Sequence, residues 1–313
     1  MKVFVAGATG VLGKQLVPRL VADDHEVVGM TRSASKSDVV RAMGATPVIA
    51  DALDPEAVAR AVAEAEPEVI VHQLTALAGS LDMRHFDRDF ALTNRLRTEA
   101  TDHLLAAGQV VGIRRFVAQS FAGWPSARTD GHVKNEDDPL DPTPAPAMRN
   151  TLDAIRHLES AVIGATWTDG VVLRYGSFYG PGTALNPDSE QAQMIRKRKF
   201  PVVGGGGGVW SFVHIEDAAE ATVTAVARGR RGIYNIVDDD PATVAQWLPA
   251  MASALGARRP RDVPRWLGQL LAGEPATLMM TDVRGASNAK AKRELDWQPS
   301  HPSWREGITK WAA

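Results

Sequence analysis

The chain has 313 residues, 44% hydrophobic and 23% charged, a composition that excludes a disordered protein and allows a sizeable core. Its formal net charge of −2 and its lack of cysteine leave nucleic-acid binding without electrostatic support and exclude disulfides, thiolate metal sites and thiol nucleophiles. No apolar run reaches the length of a membrane span or of a secretory signal, so we expect a cytoplasmic protein with no membrane partner.

Short β-branched runs alternate with alanine- and leucine-rich helical patterns along most of the chain. In chain order, the predicted strands lie in KVFVAG, HEVVGM, TPVIA, PEVIVHQL, RRFVAQS, GVVLRYG and GIYNIV. Strands separated by helices of this length predict an α/β fold with a doubly wound parallel sheet covered on both faces. Beyond Asp240 the chain is mostly helical. We predict one domain over 1–313, with its core mainly in 1–178 and 209–240 and a small, mostly helical substrate cap mainly in 179–208 and 241–313.

Three glycines lie between the first predicted strand and the first predicted helix, in VAGATGVLGKQL. Their spacing is typical of a tight turn whose amide groups, together with the helix N-terminus, face a pyrophosphate. The strand, turn and helix context makes this a Rossmann-type dinucleotide site. The predicted coenzyme contacts in this turn are Gly7, Thr9, Gly10, Val11, Leu12 and Gly13.

The end of the second strand indicates which coenzyme binds. A carboxylate is typical there for NAD(H), but the segment GMTRSASK has Thr31 at this place, followed by Arg32 and Ser33. A carboxylate would repel a ribose phosphate, whereas a guanidinium binds one through two hydrogen bonds. We therefore predict NADP(H) as the coenzyme.

Several segments, in one order, resemble the short-chain dehydrogenase/reductase superfamily in its extended, epimerase/dehydratase-like branch. The segments are GATGVLG, DALD (51–54), VIVHQLTAL (69–77), RRFVAQS (114–120), VVLRYGSFYGPG (171–182), WSFVHIEDAA (210–219), IYNIVDD (233–239) and NAKAKRELDWQP (288–299). The likeness extends along nearly the whole chain. It implies the same fold and a nicotinamide coenzyme.

The resemblance also implies further coenzyme contacts. At two positions the family usually has asparagine. One of them holds Ser177 in this chain. The other lies on the helix after the fourth strand and falls on Arg97 or, one turn earlier, on Asn94. The contacts implied are Asp51 and Ala52 beside the adenine, Gln73, Leu74 and Thr75 along the ribose, Tyr175, Ser177 and Phe178 near the nicotinamide, and Arg97.

The acid that the redox members of this superfamily use is missing. They combine a serine or threonine at the end of the fifth strand, here Ser120, with Tyr-x-x-x-Lys on the next helix. Counted back from Glu159 in RNTLDAIRHLE, the tyrosine place holds Thr151 and the lysine place holds Ile155. No tyrosine in the chain is followed by a lysine four residues later. General acid catalysis is typically worth about 10²–10⁴-fold, so we expect a weakened rather than an abolished hydride transfer.

Other groups must therefore supply the proton. We predict that Ser120 hydrogen-bonds the reacting oxygen and that the proton comes from a neighbouring side chain, from water or from an acidic hydroxyl on the substrate. Tyr179 and Thr151 are the candidate catalytic neighbours. The histidines show no metal-ligand spacing, so we predict no metal site. The candidate substrate contacts are Trp124, Arg149 and Trp210.

Three functions remain open. The first is an NADP(H)-dependent ketoreductase of a bulky, aromatic polyketide-type carbonyl, because the chain is similar to atypical superfamily members that reduce such ketones without the tyrosine. The second is a nucleotide-sugar epimerase or dehydratase, which the extended branch would normally imply. The third is a non-catalytic redox sensor that binds NADP(H). We expect a small-molecule substrate and either a monomer or a homodimer.

Overall fold

The computed structural model describes residues 1–77 and 82–309. Seven parallel strands form the central sheet in the order β12-β7-β5-β4-β1-β2-β3. Helices cover both faces, so the prediction of a doubly wound α/β sheet is confirmed. The strands of this sheet are β1 (Lys2–Ala6), β2 (Glu26–Thr31), β3 (Thr46–Ile49), β4 (Val69–His72), β5 (Arg115–Phe121), β7 (Asp169–Tyr175) and β12 (Gly232–Ile236).

The strands are nearly continuous apolar runs because both faces of the sheet are buried. In β4, for example, all four residues of VIVH are buried. One face packs against α1, α2, α7 and α10, and the other against α3, α4 and α5. These helices are α1 (Val11–Ala22), α2 (Ser37–Ala42), α3 (Pro55–Ala65), α4 (Phe86–Val111), α5 (Arg149–Gly164), α7 (Ile215–Arg228) and α10 (Ala289–Glu294).

A second core lies in the C-terminal part of the chain, where helices dominate as the sequence predicts. Its largest fully buried side chains are Trp247 and Trp304, which pack against Phe212. The boundary between core and cap stays a prediction. The helices of this part are α6 (Glu190–Arg196), α8 (Val244–Ala254), α9 (Arg265–Thr281) and α11 (Trp304–Thr309).

Four pairs of short strands lie outside the central sheet within the described ranges. Three of the pairs are parallel, and the pair β10–β13 is antiparallel. They are β8 (Ser177–Tyr179) with β11 (Phe212–His214), β10 (Val209–Trp210) with β13 (Ala242–Thr243), β9 (Val202–Val203) with β14 (Asp262–Val263), and β6 (Val133–Lys134) with β15 (Gly285–Ala286).

The strand order determines where a ligand binds. The chain runs outward from β1 to β2 and β3, then crosses back to β4 and continues to β5, β7 and β12. In open parallel sheets of this kind, ligands bind outside the carboxyl ends of the strands at the point where the order reverses. That point lies between β1 and β4. None of the helices within the described ranges is long and apolar enough to span a membrane.

Candidate functional site

The glycine turn after β1 has a geometry that only glycine fits well. Gly7 has φ +96°, and a Cβ there would lie 2.7 Å from the Gln73 carbonyl oxygen. A Cβ on Gly13 would lie 2.4 Å from the Gly7 carbonyl oxygen. Gly10 is less crowded, because a Cβ there would lie 3.3 Å from its nearest neighbour. The first and third glycines therefore allow the tight turn and close packing, and the second leaves the backbone open to a ligand.

The N-terminus of α1 suits an anion. Its N-cap is Gly10, no side chain caps it, and its first turn contains no acidic residue. The free amide groups and the helix dipole both favour a negative charge here. Of the predicted neighbours, Val11 is exposed and Leu12 is buried in the core below the turn. The turn therefore fits the pyrophosphate of a dinucleotide.

The predicted adenosine end lies at the ends of β2 and β3. Thr31 is buried, whereas Arg32 is exposed and makes no ion pair within the described ranges. The Ser33 hydroxyl lies 2.6 Å from that of Ser35. Asp51 accepts a hydrogen bond from the amide of Leu53 at 3.0 Å. Among these groups, Arg32 therefore provides the positive charge that is available to a phosphate.

Ala52, the predicted adenine contact, follows β3 and is enclosed by the protein. Its side chain is 1% exposed, and its carbonyl oxygen lies 3.0 Å from Nδ1 of His103. Its role toward a coenzyme stays a prediction.

The predicted nicotinamide end combines Gln73, directly after β4, with Tyr175 at the end of β7 and Thr222 in α7. Gln73 Nε2 donates to the Tyr175 hydroxyl at 3.2 Å, and that hydroxyl lies 2.7 Å from Thr222 Oγ1. Burial raises the pKa of Tyr175, which makes it a poor acid. The Oε1 atom of Gln73 is buried without a partner among the described residues. Because buried polar atoms are normally bonded, this acceptor is available to a ligand donor such as a ribose hydroxyl.

The remaining predicted contacts lie around this glutamine and tyrosine. The Leu74 carbonyl accepts a hydrogen bond from Gln119 at 3.2 Å, and Thr75 is exposed beyond it. The Phe178 ring lies 5.4 Å from the Tyr175 ring. Ser177 is half-buried and donates its amide to the Ser211 carbonyl at 2.9 Å. The coenzyme contacts of these residues stay predictions.

Ser120 is part of a buried ion-pair network. Its hydroxyl donates to Glu159 Oε1 at 2.7 Å. The same carboxylate accepts two hydrogen bonds from Arg174, at 2.8 and 2.6 Å. All three side chains are less than a tenth exposed. The Ser120 proton is therefore already donated to Glu159, and its predicted role toward a substrate oxygen stays a prediction.

The places of the missing tyrosine and lysine are both enclosed. Thr151 is fully buried and accepts a hydrogen bond from Asn94 Nδ2 at 3.0 Å. Ile155 is fully buried one turn later. Near the mouth of this region, Asn150 donates to Asp87 at 2.9 Å, and partial burial raises the pKa of Asp87. No phenol or ammonium stands at either place.

Tyr179 and Ser120 have separate surroundings. Tyr179 is fully buried in the C-terminal core, where its ring contacts His214 at a centroid distance of 5.1 Å. Burial raises its pKa. Trp210 is half-buried in the same core, with its indole N–H donating to the Met279 carbonyl at 2.8 Å. The structure brings neither side chain to the Ser120 network, and their catalytic and substrate roles stay predictions.

An apolar cleft lies between the start of α5 and the C-terminal part of the chain. Trp124 packs edge-on against Phe86, which stacks on Phe90 at 4.2 Å. The predicted contact Arg149 is exposed at the start of α5. Three residues here were not predicted from the sequence, Phe86 and Phe90 in α4 and Leu278 in α9, because their helical patterns indicate only a buried face. The cleft is lined by Trp124, Arg128, Asp141, Pro144, Ala145, Met148, Leu152, Leu278 and Val283.

One group of potential metal ligands occurs outside this cleft. Ligand atoms of His214, Glu216 and His301 lie within 4.8 Å of one another. The two imidazole rings are stacked, with centroids 3.8 Å apart and an interplanar angle of 25°. A metal lies in the plane of each imidazole that binds it, so stacked rings do not direct their nitrogens at a shared ion.

The sheet, the glycine turn and the residues at its open edge define a dinucleotide-binding protein of the Rossmann type. A model of the NAD dependent epimerase/dehydratase family matches residues 3–237. The chain is 45% identical over 309 residues to the 3-diazoavenalumate denitrifying reductase of a Streptomyces species, covering 98% of this chain and 99% of that protein. The chain therefore belongs to the NAD dependent epimerase/dehydratase family.

Two further similarities agree with this assignment. The chain is 28% identical to the 4-hydroxy-2-methyl-3-oxo-4-farnesyl-3,4-dihydroquinoline-1-oxide ketoreductase of Stigmatella aurantiaca, covering 82% of this chain and 74% of that protein. It is 25% identical to the solved UDP-glucose 4-epimerase of Thermus thermophilus in complex with NAD, with TM-score 0.72 over 99% of this chain and 97% of that chain. The protein is an NAD(P)-dependent oxidoreductase of the short-chain dehydrogenase/reductase type.

Proposed function

We propose that the protein is an NADP(H)-dependent reductase that removes a diazo group from an aromatic substrate as N₂. The observation that carries this proposal is the missing acid: Thr151 and Ile155 occupy the places of the tyrosine and lysine, and both are enclosed. A protein that resembles this chain over nearly its whole length is named as a denitrifying reductase of a diazo compound. Together they favour a reduction that needs hydride but no proton from the protein.

The chemistry explains why such an acid is dispensable. Hydride transfer to a ketone produces an alkoxide, which must take up a proton, and the family's tyrosine supplies it. Hydride transfer to an arenediazonium ion gives the arene and N₂, while the coenzyme is oxidised to NADP⁺. Charge and atoms balance without a further proton. The cost that remains is bringing the two reactants together in the correct orientation, which binding alone can provide.

The shape of the cleft supports an aromatic substrate. Trp124, Met148 and Leu278 line the cleft, and the buried Phe86 and Phe90 pack behind Trp124. Aromatic side chains pack well against planar rings in offset or edge-on arrangements. Cationic Arg128 is paired with Asp141 at 3.0 Å, so the cleft offers an apolar surface with few free charges.

The preference for NADP(H) over NAD(H) is part of the proposal and depends on Arg32. The side chain is exposed directly after β2, next to Thr31, which stands where a carboxylate would hold the unphosphorylated ribose. A guanidinium at this place favours a ribose phosphate through paired, charge-assisted hydrogen bonds.

Ketone reduction is the second candidate. Burial raises the pKa of Asp87, which is bonded to Asn150, next to Thr151, so a carboxyl that takes up a proton more readily than usual stands near the place of the missing tyrosine. In this candidate, Thr151 and Ser120 keep the catalytic roles that the sequence predicts. The similar ketoreductase of Stigmatella aurantiaca supports this candidate.

A single assay separates the candidates. The purified protein is mixed with NADPH or NADH and either a hydroxybenzenediazonium salt or hydroxyacetophenone, and the no-protein rate is subtracted. We expect one N₂ per NADPH consumed, deuterium from labelled NADPH in the ring of the product, and a slower reaction with NADH. Reduction of the ketone without N₂ release would support the second candidate. Tight NADPH binding with no turnover of either compound would support the redox sensor instead.

A further inference from the structure

Arg97, in α4, is a buried guanidinium without a partner. The side chain is 5% exposed, and its Nε and Nη1 atoms are enclosed with no hydrogen bond to any described residue. Burial lowers the pKa of Arg97 to about 10, so the group is still protonated at neutral pH. Enclosing a charge without a partner is costly, and buried polar groups are normally bonded. Such a group indicates a ligand that supplies the missing hydrogen bonds.

The surrounding protein does not neutralise this cation. The nearest acidic side chain that influences it is Glu159, whose charge raises the pKa of Arg97 against the effect of burial. Both oxygens of Glu159 are already bonded, one to Ser120 and Arg174 and the other to Arg174. The enclosed group therefore contains two guanidiniums and one carboxylate. Its excess positive charge suits a polyanion such as a dinucleotide.

Two hydrogen bonds between α4 and α5 determine the register of the two helices and so the position of Arg97 relative to α5. Asn94 bonds Thr151 at 3.0 Å, and Asp102 bonds His157 at 2.8 Å. Arg97 lies three residues beyond Asn94 and five before Asp102, so it stands near the level of Asp153, about half a turn before Ile155 on the neighbouring helix. Long helical side chains point toward the helix N-terminus, which here is the open edge of the sheet. The cation thus comes from α4 close to the level at which the family's lysine would come from α5.

The strand order indicates which half of the coenzyme lies there. The proposed phosphate-binding Arg32 follows β2, and α4 and α5 pack over β4 and β5. In the sheet β5 is three strands from β2, about 14 Å at normal strand spacing. A dinucleotide that crosses the reversal point therefore extends its nicotinamide half toward Arg97.

We propose that Arg97 is a coenzyme-positioning residue whose guanidinium binds the hydroxyls of the nicotinamide-side ribose in place of the lysine that Ile155 replaces. The inference rests only on nicotinamide coenzyme binding, so it holds whether the substrate is a diazo compound or a ketone.

The test measures binding of two probes by tryptophan quenching, which requires no substrate. NADPH contains both halves of the coenzyme, whereas adenosine 2′,5′-bisphosphate contains only the adenosine half. Arg97→Asn removes the charge but keeps a polar side chain, and Arg97→Lys keeps the charge. The matched control is Arg95→Asn, because Arg95 lies on the exposed side of α4, paired with Glu99 at 2.7 Å.

We expect Arg97→Asn to weaken NADPH binding at least about tenfold, because hydrogen bonds from charged groups are lost, while the bisphosphate binds as before. Arg97→Lys should keep most of the affinity, and Arg95→Asn all of it. The melting temperature of Arg97→Asn without ligand should be unchanged or higher, because an unpaired buried charge is removed. Unchanged NADPH affinity in Arg97→Asn would overturn the proposal, and so would equal weakening of both probes with a lower melting temperature.

Discussion

Glu159 holds the side chains behind the site in place through three hydrogen bonds, one from Ser120 and two from Arg174. Both charged side chains are less than a tenth exposed, so solvent screens the pair little. Removing one partner of such a pair leaves the other charge buried and unpaired, whereas removing the serine removes one hydrogen bond. The two kinds of change should therefore differ in size.

We predict that Glu159→Gln lowers the free energy of unfolding by about 3–5 kcal/mol and Ser120→Ala by about 1 kcal/mol. Urea unfolding followed by tryptophan fluorescence measures both values. The kinetics of Ser120→Ala test the other role of the hydroxyl. A large fall in kcat without any loss of stability would show that Ser120 acts on the substrate and would contradict a mainly structural role.

The sequence predicts which residue types lie at the site, but not the directions in which their side chains point. Ser120 is at the strand end that the sequence predicts, yet in β5 it is buried while its neighbours Gln119 and Phe121 are half-buried. Alternation along a strand places Ser120 on the opposite face from those two residues. Which face meets α5 depends on the packing of distant elements. A motif position alone therefore could not show that the hydroxyl bonds Glu159.

At the scale of elements, α1 and its glycine turn are the part that the sequence predicts most completely. Spacing alone indicates the turn, and the structure adds how closely β1, α1 and β4 approach. Gly13 lies against the carbonyls of Gly7 and Ala8, with distances of 2.4 and 2.5 Å to a Cβ placed there. Backbone atoms cannot move aside as a flexible side chain can, so the third glycine is required by packing rather than by the ligand.

We predict that Gly13→Ala separates α1 from β1 and lowers both stability and NADPH affinity, with a loss of at least about 1–3 kcal/mol in unfolding free energy. The matched control is Gly10→Ala, where the nearest atom is 3.3 Å from the added methyl and a small adjustment relieves the contact. Gly10→Ala should therefore fold normally and affect mainly coenzyme binding. Equal stability of the two variants, measured by thermal unfolding, would contradict this account.

The pairing of α4 with α5 illustrates what the sequence could not supply. Both helices are predicted from their periodicity, but the register between them depends on Asn94 with Thr151 and on Asp102 with His157. These contacts join residues more than fifty positions apart, and no local pattern encodes them. The absence of a partner for Arg97 follows only from that register. The sequence therefore indicated Arg97 as a coenzyme contact but not the direction of its side chain.

At the scale of the whole molecule, folding encloses His72 at the end of β4, in the middle of the sheet. The ring is 0% exposed, and its Nε2 lies 3.2 Å from the Leu96 carbonyl and 3.1 Å from Thr101 Oγ1. Burial lowers the pKa of His72 to about 4 from an ordinary value of 6.5, with a smaller effect from the charge of Arg97. The unfolded chain therefore binds a proton here at a pH where the folded protein does not.

This difference predicts a specific sensitivity to acid. A group whose pKa is lowered by folding adds its full stability above its ordinary pKa and loses it as the pH falls toward the folded value, here between 6.5 and about 4. From pH 7 to pH 5 the loss from His72 is about 2 kcal/mol, which urea unfolding at the two pH values can measure. His72→Gln removes the titrating group, so the variant should be less stable at pH 7 but lose about 2 kcal/mol less than the wild type on going to pH 5. The wild type and His72→Gln share every other titrating group, so the difference between their losses of stability reports on His72 alone. Equal losses from pH 7 to pH 5 would mean that His72 is protonated equally in the folded and unfolded states, contrary to its enclosure in the sheet.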